Sequence, residues 1–306
     1  MNTNPNLIRR RILQALALSP MALSFPWAIG KETTAEVKAR RQYVDGVWGQ
    51  VHVYSVIPEV IRQNALMCFH PSPTSGNYFR DYMLSMGTDR MVFAMDTPGY
   101  GKSDPPPEPP AIKELAENAA VTLEELGFGS RGGGPVDAIG YHTGCLIAAE
   151  LAIIRPDLIR RLVLPGIPYY EGKARQEAYE NYAKPSEKSS DGKHIITAWE
   201  FWTKNLLKEG VSLDRITEHF ADQMRAGSNS WWAYHGVFSY EAEKRFPLVK
   251  QPVLVPNNYA GLEDASRAAA KLMQNAKVIE MPELSKGIFD AAVKPLVKVS
   301  RGFLDT

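Results

Sequence analysis

A chain of 306 residues with 44% hydrophobic and 23% charged residues is long enough to bury a full core as one large domain, with room for an insertion. Its 35 basic and 34 acidic residues leave a net charge of +1 with both signs interleaved, which gives no footprint for nucleic acid or an anionic membrane surface. Two cysteines, Cys68 and Cys145, stand far apart in apolar runs and fit neither a disulfide framework nor a zinc site, so both read as buried thiols.

At the N-terminus, Arg9-Arg10-Arg11-Ile12-Leu13-Gln14 precedes the modestly apolar ALALSPMALSFPWAIG, which is too short and too proline-interrupted to span a bilayer. The pattern resembles a twin-arginine export signal over residues 1–30. That resemblance implies cleavage near Ala28 to Gly30 and a periplasmic or secreted mature chain beginning around Lys31. A basic leader retained on a cytoplasmic protein is the alternative.

Next, Arg41 to Val56 alternates polar and apolar residues around Asp45-Gly46, the pattern of an antiparallel hairpin. Short apolar runs suited to buried parallel strands follow at Ala65–Phe69, Met91–Met95, Val136–Ile139, Leu162–Leu164, Val253–Val255 and Lys277–Met281. Between them, helical spacing marks Ala111–Leu126, Cys145–Ile154, Ala265–Met273 and Ile288–Leu304, the second stopping before Arg155-Pro156. Pro105 to Pro110 is a stiff extended connector. This alternation predicts an α/β fold with a mostly parallel sheet and helices on both faces. It breaks at 168–247, which is rich in aromatics and helix formers. That stretch is expected to form a helical cap inserted into a core of 31–167 and 248–306.

Three segments carry a resemblance to the α/β-hydrolase superfamily from about Arg41 to the C-terminus. Phe69-His70-Pro71-Ser72-Pro73 stands where that family has its oxyanion loop, and Asp96-Thr97-Pro98-Gly99-Tyr100-Gly101-Lys102-Ser103 matches its D-x-P-G-x-G-x-S loop. Gly140-Tyr141-His142-Thr143-Gly144 has the outline of the G-x-S-x-G elbow, with His142 in the serine's place. The other triad positions differ as well. Pro256 to Gly261 offers no carboxylate before Glu263 and Asp264, and Lys286 stands where the family has its histidine. A Ser-His-Asp mechanism with these residues in their usual places is therefore excluded.

An elbow lifts one side chain into the pocket and aims the next backbone N–H at an anion site, so Thr143 is an expected oxyanion donor and a loop N–H near Ser72 a second. Neutral imidazole is a competent base or nucleophile, which makes His142 the central catalytic candidate; its alternative is a polar residue tolerated in a retired pocket. Lys286 is either a base or electrostatic clamp, or a surface lysine. His70 is either a loop organiser, a pocket donor, or a loop histidine bonded to backbone. Cys145, one turn after His142, reads as a small buried residue. Asp96 reads as a turn cap. Tyr141 is placed with the pocket, and Trp231, Trp232 and His235 are expected to line it from the cap, with Tyr234, Trp199 and Trp202 adding to an apolar wall; the alternative for these aromatics is the cap's own core. Asp290 and Glu171 are candidate orienters of His142.

The expected activity is hydrolysis of a small apolar or aromatic ester or lactone by an α/β-hydrolase-fold enzyme without metal or organic cofactor. A lyase or carbon–carbon cleavage using His142 as base, and a non-catalytic scaffold that binds a small ligand, are the alternatives. Composition and motifs leave the oligomeric state open.

Overall fold

The computed structural model describes residues 38–185 and 187–306; the Arg9 to Gly30 segment lies outside the described residues. Eight strands, β1 (Arg40–Gly46), β2 (Gly49–Val56), β3 (Leu66–Phe69), β4 (Val92–Met95), β5 (Val136–Gly140), β6 (Ile159–Val163), β7 (Val253–Asn258) and β8 (Ala276–Met281), form one sheet. Its order is β1-β2-β4-β3-β5-β6-β7-β8, antiparallel at β1/β2 and β2/β4 and parallel at every other pair. The helices are α1 (Arg80–Met86), α2 (Ile112–Glu125), α3 (Thr143–Ile154), α4 (Gly172–Tyr182), α5 (Lys193–Leu206), α6 (Leu213–Ala226), α7 (Trp232–Ser239), α8 (Ala242–Arg245), α9 (Glu263–Leu272) and α10 (Val293–Leu304). Among the described residues no helix is long and apolar enough to cross a membrane.

Successive strand side chains point to opposite faces. Leu66 and Cys68 of β3 join one apolar cluster with Tyr82 and Met86 of α1 and Leu296 of α10. Met67 and Phe69 join the other, with Leu115 of α2, Leu146 of α3 and Ala269 of α9. Both faces are covered, which is why the central strands read as unbroken apolar runs. β5 adjoins β3, whereas β4 lies on the far side of β3, so the chain leaves these neighbours in opposite directions. A crevice opens there beyond the strands' carboxyl ends, between the loop after β3 and the turn after β5.

Two local expectations shift. The hairpin turn is Val47-Trp48 rather than Asp45-Gly46, because Gly46 still pairs with Gly49 and Gly49 takes the positive φ of 120°. The Asn118 side chain secures this turn by accepting from the Val47 N–H at 2.8 Å. The last helix begins at Val293, not Ile288. The preceding segment bends instead to bury Leu284, Ile288 and Phe289 and to present Asp290 to α6. Sequence periodicity also passed over α1, whose seven residues are too few to establish a helical period.

The elbow depends on close backbone approach. A Cβ on Gly144 would stand 1.9 Å from the Phe69 carbonyl oxygen, and one on Gly140 would stand 2.3 Å from the Gly144 carbonyl oxygen. Gly144→Ala is therefore expected to lower stability by about 1–3 kcal/mol, read as an earlier midpoint in chemical denaturation. An unchanged midpoint would mean that α3 does not need to pack this tightly on β3.

Candidate active site

β5 runs to Gly140 and α3 starts at Thr143, so Tyr141 and His142 form the whole connection. His142 has φ 48° and ψ −116°, and it is the one non-glycine residue with positive φ among the described residues. Such a backbone costs about 1–3 kcal/mol and persists only where surrounding packing imposes it. Here the glycine contacts of the turn impose it, and the imidazole is lifted to the cavity wall.

The cavity has a volume of about 530 Å³ and lies between the sheet's carboxyl edge and the helices that follow β6. Ser72, Tyr141, His142 and Lys286 line it from the core. Tyr170, Trp202, Gln223 and Tyr234 line it from the opposite side. The His142 ring lies against the Tyr141 ring at 4.0 Å between centroids. Gly166 leaves room for it, since a Cβ there would be 3.2 Å from Nε2. His142 Nε2 is buried without a hydrogen-bond partner among the described residues. Burial, assisted by the positive charge of Lys286, pushes the His142 imidazole down to about 4. It is therefore neutral near pH 7.

Lys286 reaches the cavity from the turn after β8, and its ammonium donates to Asn205 Oδ1 of α5 at 2.5 Å. Thr143 is buried at the head of α3; its side chain does not line the cavity, and its backbone N–H has no acceptor among the described residues. A free N–H behind the elbow is the state expected of an anion-binding helix start.

Several anticipated residues are engaged elsewhere. His70 is fully buried, with Nδ1 donating to the Pro71 carbonyl at 2.9 Å and Nε2 accepting from the Thr97 N–H at 2.9 Å. With both nitrogens occupied it braces the loop and offers no donor to the pocket. His235 bonds the Tyr179 hydroxyl through Nδ1 at 2.9 Å and does not line the cavity. Trp231 faces a neighbouring groove, and Trp232 lies outside the cavity as well. On that stretch of helix Tyr234 is the side chain that turns inward, because neighbours on a helix point about 100° apart.

Neither proposed carboxylate reaches His142. Glu171 is exposed and accepts from the Tyr169 hydroxyl. Asp290 accepts from Arg215 Nε at 2.6 Å and from His219 Nε2 at 2.9 Å. Burial alone would raise the Asp290 carboxyl, but the His219 hydrogen bond and the Arg215 charge bring it below its usual value. Asp96 acts as the turn cap its loop implies, accepting from the Gly76 N–H at 2.7 Å and the Lys102 N–H at 2.8 Å. Cys145 directs its thiol to the Pro165 carbonyl at 3.1 Å, away from any pairing with His142. Among the described residues no group of three His, Cys, Asp or Glu side chains is placed to hold a metal ion.

Sequence reasoning named Tyr141 and Tyr234 but missed three further tyrosines. Tyr78, Tyr170 and Tyr182 join those two around the cavity, drawn from separate parts of the chain with no shared spacing. Of Trp199, Trp202, Trp231 and Trp232, Trp202 alone lines the cavity; its Nε1 donates to Gln223 at 2.6 Å, and its ring stacks on His219.

If His142 acts as a base, the group must be unprotonated, so activity is expected to stay level from pH 7 down to about 5. Half of it should be lost near pH 4, where an ordinary histidine would give the loss near about 6.5. A kcat/KM profile checks this, and a half-point near 6.5 would show that the imidazole is not desolvated.

No family model matches the chain. A curated protein of Acinetobacter baylyi, (E)-2-((N-methylformamido)methylene)succinate hydrolase, is 28% identical over 87 residues, which is 28% of this chain and 31% of that protein. The match thus spans about a third of the curated relative's length. Among solved structures, an epoxide hydrolase from an endophytic Streptomyces superimposes with a TM-score of 0.71 at 15% identity, covering 87% of this chain and 95% of that one. The enol-lactonase from Burkholderia xenovorans gives a TM-score of 0.63 at 16% identity, covering 87% and 100%. The likeness is one of fold: the chain has the α/β-hydrolase fold.

Proposed function

We propose that the chain is an enzyme that hydrolyses a small apolar or aromatic ester or lactone, with His142 as general base or nucleophile. The observation that carries this reading is the imidazole at the elbow. It sits on strained backbone, it makes no hydrogen bond to any described residue, and it opens on a cavity that also holds Lys286. Backbone strain of this kind clusters at functional sites. That solved relatives of the same fold include an enol-lactonase is consistent with carbonyl chemistry here.

In the general-base route, neutral His142 takes a proton from water as the oxygen attacks the carbonyl carbon. The carbonyl π pair becomes an oxyanion facing the Thr143 N–H and an N–H of the Ser72 loop. Collapse restores the carbonyl and expels the alkoxide, which takes the proton back from His142. In the nucleophilic route the imidazole attacks directly, the alcohol leaves, and water cleaves the acyl-imidazole. The aromatic side chains of 168–247, acting as a cap, would exclude bulk water and select an apolar acyl group.

A panel of chromogenic esters and lactones tests the proposal, and rapid-mixing kinetics separates the routes: a burst of alcohol equal to the enzyme concentration marks the nucleophile. No turnover across the panel favours a second reading, a ligand-binding scaffold. One observation supports that alternative, since among the described residues no carboxylate bonds to the imidazole.

The export segment is part of the same proposal. The native N-terminus is expected near Lys31 by mass spectrometry of protein from the producing cell, and an intact Met1 would overturn it.

A further inference from the structure

We infer that the ligand of this cavity carries a carboxylate and that Lys286 is the residue that selects for it. The inference rests on reading the cavity as the place where the small molecule binds. Lys286 is the only lysine or arginine among the lining residues, and none of those residues is Asp or Glu. Its ammonium has three N–H donors, and Asn205 Oδ1 takes one. Asn205 is itself oriented, because its amide nitrogen donates to the Phe201 carbonyl at 2.7 Å and so turns its oxygen toward Lys286. The amide thereby holds the ammonium without neutralising it.

Glu209, the carboxylate that packs beside Ser285 and Gly287, accepts from Ser285 Oγ and lies 3.9 Å from Lys208 Nζ, and the buried carboxylates of the surrounding elements have partners of their own. Asp290 pairs with Arg215 and His219, Asp222 accepts from Ser75, and Asp96 holds its own loop and His52. Lys286 makes no salt bridge with any described residue. Elsewhere in the fold, cations of low exposure have a carboxylate: Arg90 has Asp305, Arg160 has Asp137, Arg175 has Glu243 and Arg215 has Asp290. A partly buried cation left without an anion is costly, and a low-dielectric aromatic wall strengthens any pair formed there. The two free donors suit the two oxygens of a carboxylate, and they are the part of the cavity that only an anionic ligand completes.

Calorimetric titration of the whole protein with phenylacetate and its neutral isostere phenylacetamide tests this directly. Phenylacetate is expected to bind at least tenfold tighter. The preference should vanish in Lys286→Met and persist in Lys286→Arg. Equal binding of the two probes, or a preference that survives in Lys286→Met, overturns the inference. Titration is independent of turnover. Carboxylate selectivity without hydrolysis of any ester would leave this inference standing and remove the enzymatic reading, whereas ester hydrolysis with equal binding of both probes would do the reverse.

Discussion

His142→Ala is expected to lower kcat/KM for the best ester or lactone substrate by roughly 10² to 10⁴-fold, the range associated with removal of a general acid–base group. The imidazole makes no hydrogen bond to any described residue, so its loss should leave the fold intact and the thermal midpoint nearly unchanged. Low activity can then be assigned to chemistry rather than to unfolding. His142→Ser returns a hydroxyl to the elbow but is expected to remain as inactive as alanine. A serine nucleophile needs a neighbouring base, and the position that would hold one is occupied by Lys286 beside Asn205. A His142→Ala protein with undiminished turnover would remove His142 from the mechanism. Full activity in His142→Ser would instead show that Lys286 can act as the base.

Arg215→Ala is expected to destabilise the protein by about 3–5 kcal/mol, because it leaves the buried Asp290 carboxylate with His219 as its remaining donor and takes the donor from two backbone carbonyls. Arg215 is 4% exposed on α6 and joins that helix to the core at two places. Its guanidinium donates to Asp290 at 2.6 Å, to Asn77 O at 2.7 Å and to Tyr78 O at 3.2 Å. Ser75 reinforces the same junction by donating to Asp222 of α6. In a chain of this size the loss corresponds to a fall of roughly 6–20 °C in Tm. Arg215→Lys should recover little, since an ammonium cannot reproduce three directions of the planar fork. Arg215→Met combined with Asp290→Asn should recover part of the loss by removing the carboxylate charge. If Arg215→Ala alone shifts Tm by less than about 2 °C, the junction is not what holds α6 over the cavity. Because α6 carries Gln223 into the cavity and braces Trp202, substrate affinity is expected to fall with stability.

Much of the fold was legible because its signals are local. A buried parallel strand such as β3 must be apolar on both faces, and the elbow must be glycine where Gly140 and Gly144 touch backbone. Positions in the site were legible for the same reason: the end of β5 places His142 and the turn after β8 places Lys286. Partners were not. His70, Trp231, Trp232 and His235 have residue types that suit a pocket, yet whether each faces it depends on small rotations within its loop or helix.

The sequence by itself determined the α/β alternation and the elbow, because each rests on steric demands within a few neighbouring residues. Only the tertiary structure decided which charges meet. Asp290 is 75 residues from Arg215 and 71 from His219, and their packing directs its carboxylate away from His142. Among the described residues the cavity is consequently lined by an imidazole and an ammonium but no acid. Charge pairing over such distances follows from how α6 docks on the core, and that docking is set by the summed packing of the whole chain rather than by any local spacing.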